Sequence, residues 1–180
     1  MTVCAVHVFE KDIFMGADGL LSNKYDIIDE NFKKIHYINK GTDTELMYSI
    51  AGSNGMIAAF VNQLPHNYNG SNWLWDTKEN HVECLTDFID LFIEKYAKVY
   101  PDEPLHCLIA CKKHFCCHKV VQHSVREIKT NQYAAIGCGD DLAMGALYSG
   151  GTIITAIEAA CKHSLHCGGT CQTCSMQRNY

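Results

Sequence analysis

Thr2 is the residue whose chemistry the rest of the chain has to serve. Once the initiator Met1 is removed, it holds a hydroxyl nucleophile and an α-amine base in a single residue, the compact form of the nucleophile-plus-base pairing used in acyl transfer. Threonine is common at a second position, so taken alone it fits an ordinary first strand equally well. Two other groups of residues could do metal chemistry. Cys167-Gly168-Gly169-Thr170-Cys171-Gln172-Thr173-Cys174 spaces three thiols as C-x3-C-x2-C, which suits an iron–sulfur cluster. His106, Cys107, Cys111, His114, Cys116, Cys117 and His118 offer soft ligands for zinc. Against the first group, little chain follows Cys174 to enclose a cofactor, and on a strand Cys171 and Cys174 would point to opposite faces. Both groups are read as core or incidental side chains, with no metal and no cofactor expected.

Composition bounds the possibilities. A chain of 180 residues, 47% hydrophobic and 19% charged, makes one globular domain spanning 1–180. The formal charge of -5 and the lack of a basic block exclude nucleic acid or an anionic membrane as main partner. No apolar run reaches the roughly 18 residues that cross a bilayer, and no charged-then-apolar leader opens the sequence, so a cytoplasmic protein is expected. Eleven cysteines, an odd number without an export signal, are then mostly reduced thiols.

The elements that must position Thr2 follow from pattern. Two apolar runs around Glu10-Lys11-Asp12 predict a hairpin ending near Asp18. Residues 20–26 read as a polar loop, Asn31 to Ile38 and Glu45 to Ala51 as strands, and Gly52-Ser53-Asn54-Gly55 as a turn in which Ser53 or Asn54 caps a helix. That helix, Met56 to Leu64, is expected to stop at Pro65, with a polar loop over 67–72. From Val82 to Val99 the residues Leu85, Phe88, Ile89, Phe92, Ile93 and Tyr96 recur at helical spacing, before Pro101 and Pro104. Strands are predicted at Leu105 to Cys111, Lys119 to His123 and Gln132 to Ile136. Gly137-Cys138-Gly139-Asp140-Asp141 then opens a helix through Leu147, Thr152 caps another through Cys161, and Thr170 to Met176 closes as a strand. This order predicts an α+β fold, a four-layer αββα sandwich of two antiparallel sheets between helix layers.

Thr2, Gly16-Ala17-Asp18-Gly19, Asn31-Phe32-Lys33-Lys34-Ile35, Ala51-Gly52 and Gly137-Cys138-Gly139 together resemble the β-type subunits of the proteasome superfamily, the HslV-like N-terminal-nucleophile peptidases in particular, over nearly the whole chain. The resemblance implies a threonine-type endopeptidase. In it Thr2 is the nucleophile and its α-amine the base, Lys34 lowers the amine's pKa, and Asp18 keeps Lys34 charged and oriented. Gly52 supplies a backbone N–H to the oxyanion. Removal of Lys34 is expected to cost rate more than folding. Two positions depart from the family pattern: Cys138 stands where serine is usual, and Ser164 where proteasome β subunits carry an aspartate. Both leave room for a slow subunit or a non-catalytic one.

The same resemblance implies polypeptide substrates, stacked homo-oligomeric rings of six or seven subunits, and an AAA+ ATPase unfoldase as partner. The alternative is a structural ring member, or a metal-binding protein on the same scaffold.

Overall fold

The computed structural model describes residues 2–22, 27–70, 77–96, 98–100 and 104–178. Six strands arrive first: β1 (Val3–Val8), β2 (Asp12–Ala17), β3 (Leu21–Ser22), β4 (Ile27–Asp29), β5 (Ile35–Ile38) and β6 (Leu46–Ala51). Two helices follow, α1 (Asn54–Gly70) and α2 (Lys78–Tyr96), then β7 (His106–Cys111), β8 (Cys116–Val121), β9 (Ser124–Ile128) and β10 (Gln132–Gly137). The chain ends with α3 (Asp140–Tyr148), α4 (Ile153–His163) and β11 (Gln172–Gln177).

The larger strands form two antiparallel sheets, ordered β10-β1-β2-β11 and β5-β6-β7-β8-β9. Period-two alternation explains how both bury two faces. In β1, Cys4, Val6 and Val8 point between the sheets, whereas Val3 and Ala5 meet Ala156, Ile157 and Ala160 of α4. In β6, Leu46, Tyr48 and Ile50 face α1 and α2, while Met47 and Ala51 face the first sheet. Because each face is covered, these strands read as unbroken apolar runs. The predicted stripe on α2 is buried from Leu85 to Ile93, with Phe60 of α1 against Phe88 and Phe92 at ring separations of 5.6 and 5.1 Å. The result is the αββα sandwich.

Three local expectations are corrected. α1 runs through Pro65 to Gly70. Proline removes one helical hydrogen bond, but the turn beyond it is held by tertiary contacts: Leu64 and Tyr68 are buried, and the Tyr68 hydroxyl donates to the Thr44 carbonyl. Leu21 and Ser22, read as loop, pair with β4; the intervening residues 23–26 lie outside the described residues, as do 71, 72 and Pro101. β8 begins at Cys116 rather than Lys119, and turns at Gln122 (φ 54°) into the edge strand β9, whose mainly polar sequence hides it.

Candidate active site

The hairpin β1–β2 and the segment entering β5 bring the candidate residues together. Asp18, just past β2, is fully buried. Its Oδ1 accepts the Val3 N–H at 2.9 Å and the Lys34 ammonium at 2.6 Å, and its Oδ2 accepts the Gly168 N–H at 3.1 Å. Lys34 is only 3% exposed, so this is a buried ion pair whose carboxylate is saturated with donors. The pair therefore touches the peptide that follows Thr2 directly. Gln172 at the start of β11 fixes Lys34 from behind, its Oε1 accepting the Lys34 N–H at 3.0 Å while its Nε2 donates to the Phe32 carbonyl at 2.6 Å. Asp18 and Lys34 fall at the expected spacing, but Gln172 carried no signal beyond its place on a closing strand.

Thr2 is itself buried and forms one wall of a cleft of about 580 Å³ shared with Ser22, Ala51, Gly52, Ser53, Asn54, His106, Gly137 and Cys138. Gly137 must be glycine: its φ is +95°, and a Cβ there would lie 2.1 Å from the Thr2 carbonyl oxygen. Gly52 differs. A Cβ on it would make only ordinary contacts, 3.5 Å from the Pro104 carbonyl oxygen and 3.9 Å from the Met56 sulfur. Packing thus does not demand glycine on this wall. Ser53 caps α1, accepting the Met56 N–H at 3.2 Å.

Cys138 closes the site on the third side. The Thr2 N–H donates to its Sγ at 3.3 Å, its thiol lies 3.3 Å from the Thr2 carbonyl oxygen, and 3.7 Å separate it from the Cys167 sulfur. A hydrogen bond from Cys167 draws the Cys138 thiol down to about 6, against the opposing effect of burial and with help from the Thr2 N–H, while Cys167 is pushed up. Cys167 and the Gly168 N–H were not foreseen as site groups; they arrive on the loop after α4, where Ser164 accepts the His166 N–H at 3.2 Å. Ser164 therefore acts on the loop rather than offering a charge to Thr2.

The remaining cysteines divide. Cys171 packs with the α3–α4 layer, whereas Cys174 lies between the sheets with its sulfur 3.0 Å from that of Met47. The C-x3-C-x2-C run thus does not converge on one point.

Two antiparallel sheets packed between helix layers, with Thr2 at the start of the first strand, form a fold that several solved structures share. The Thiobacillus denitrificans BPH in complex with epoxomicin aligns with a TM-score of 0.74 at 18% identity, covering 99% of this chain and 100% of that one. HslV from Trypanosoma brucei aligns at 0.73 and 12% identity, over 99% and 100%. Anbu (ancestral beta-subunit) from Yersinia bercovieri aligns at 0.78 and 12%, over 98% of this chain and 81% of that one. No protein-family model matches the sequence, and no curated protein matches it.

Proposed function

We propose that the chain is a threonine-type endopeptidase subunit of a self-compartmentalised ring. The observation that carries this reading is the Asp18 carboxylate, which binds the Lys34 ammonium and the Val3 N–H with the same oxygen. With Met1 removed, the Thr2 amine accepts the Oγ proton as Oγ attacks a peptide carbonyl. Donors on the Gly52 wall receive the oxyanion. The C–N bond then breaks, the leaving amine takes the proton back, and water hydrolyses the acyl ester to restore the free hydroxyl. An α-amine titrates at about 7.7 to 8.0, and the nearby Lys34 charge disfavours its protonated form.

Polypeptide substrates, stacked six- or seven-membered rings, an AAA+ unfoldase and a cytoplasmic setting complete the proposal, all by likeness of fold. A second reading, a non-catalytic ring subunit, is favoured by one specific feature: Cys138 stands beside the Thr2 nitrogen where the resemblance implies serine, and a thiol is a weaker hydrogen-bond partner than a hydroxyl. Treatment with a threonine-directed covalent inhibitor followed by peptide mass spectrometry separates the two. The peptidase gives an adduct on Thr2 that Thr2→Ala abolishes; the structural subunit gives none.

A further inference from the structure

The far side of the five-stranded sheet holds a second cluster, remote from Thr2 and unused by the chemistry above. Cys116 and His118 stand two residues apart on β8 and so share a face, the one turned to the helix layer. The first turn of α2 lays His81 over them. One ligand atom from each of His81, Cys116 and His118 lies within 4.8 Å of the others, and all three residues are buried. Two ligands of one tetrahedral zinc are about 3.5 Å apart, for bonds of roughly 2.0–2.3 Å. Cys111 on β7 is the register partner of Cys116 and packs in the same core cluster, outside the group of three.

We propose that His81, Cys116 and His118, with Cys111 as fourth ligand, form a structural zinc site that clips α2 to the β7–β8 hairpin. His118 gives an independent indication of a missing partner: it is 1% exposed, and neither ring nitrogen has a hydrogen-bond partner among the described residues. A buried polar group left unsatisfied is destabilising, and a metal bond would satisfy one of the two ring nitrogens. A neutral imidazole presents one ring-nitrogen lone pair to a metal. Charge also balances, because two thiolates and two neutral imidazoles around a divalent ion sum to zero, which suits an apolar interior. Each thiol releases its proton as its bond to zinc forms. A closed set of protein ligands with no open position is a structural rather than a catalytic site. His81 is remote in sequence from the Cys/His run of 106–118, so no local motif announces the set. The reading of that run as core or incidental side chains gives way here to a ligand role for Cys111, Cys116 and His118.

The full chain, produced in zinc-supplemented medium and desalted in the presence of a chelator, tests the site by elemental analysis. A second portion is refolded under reducing conditions with Co(II) and its visible spectrum recorded. The expected result is about one zinc per chain, together with tetrahedral ligand-field and thiolate-to-cobalt charge-transfer bands. His81→Asn, His118→Asn and Cys116→Ser should each lower bound metal at least tenfold, while Cys171→Ser keeps it. The cobalt spectrum of the unaltered chain decides the matter even where a variant fails to fold. A folded wild type with no zinc and a featureless cobalt spectrum overturns the proposal, as does metal that survives Cys116→Ser, metal lost with Cys171→Ser, or copper in place of zinc.

Discussion

Asp18 holds three donors at once, and two of them set the character of the site: the Val3 N–H fixes the strand that carries Thr2, and Lys34 supplies the positive charge. Because both members of the ion pair are buried, Lys34→Met leaves an uncompensated carboxylate. We expect it to abolish peptidase activity and also to destabilise the fold by about 3–5 kcal/mol in urea titrations, a larger share for folding than the sequence reading assigned when it expected rate to suffer more than folding. Adding Asp18→Asn should return part of that stability without returning activity; a double variant less stable than Lys34→Met contradicts this. Cys138 gives a pH test. Its Sγ accepts the Thr2 N–H at 3.3 Å, and the hydrogen bond from Cys167 draws the thiol toward the charged form that favours a protonated amine, so Cys138→Ser should lower the amine's pKa and move the acidic limb of the kcat/KM profile to lower pH. A limb that stays put or moves upward refutes the role given to Cys138. At this scale the pairing of Asp18 with Lys34 beside the strand that carries Thr2 was anticipated through the family resemblance, which their spacing helped to suggest. The Cys138–Cys167 contact was not, since 29 residues and two helices separate its members.

Turns that enter or leave strands hold the two glycines of the cleft, and they make opposite demands. Gly137→Ala forces a Cβ into the Thr2 carbonyl from a left-handed backbone, so it should unseat Thr2 and cost both stability and rate. Gly52→Ala meets nothing closer than 3.5 Å and keeps its backbone N–H, so its melting temperature should stay near wild type and its kcat should fall less than that of Gly137→Ala. A Gly52→Ala variant that melts as early as Gly137→Ala would contradict this. Helix and strand types were mostly readable from periodicity: the α2 stripe and the doubly buried β1 and β6 follow directly from the positions of their apolar residues. The misread elements share a cause, namely tertiary contacts overriding local signals. Tyr68 and Leu64 carry α1 past Pro65, and β9 earns its place as an edge strand by pairing with β8, although only Val125 and Ile128 are apolar.

The molecule as a whole stacks two helix layers on two sheets, with the cleft at the sheet end where β1, β6 and β10 meet their loops. Among the described residues, no helix is long and apolar enough to cross a membrane. The outer helices expose Leu91, Tyr148 and Ile154, apolar surface that ring contacts would cover. Under the proposed ring, native mass spectrometry is expected to find six or seven subunits, or twice that number; a monomer at micromolar concentration opposes the ring. The fold was legible as a whole because strand and helix order survive local errors, whereas the assembly depends on surfaces to which no sequence period points.

The catalytic account rests on an uncapped Thr2, and one experiment reaches it directly: peptide mass spectrometry of the protein from its native cell, before and after a threonine-directed covalent inhibitor. The account predicts a mature chain beginning at Thr2 and an adduct confined to that residue. A chain that keeps Met1 and stays unmodified contradicts it.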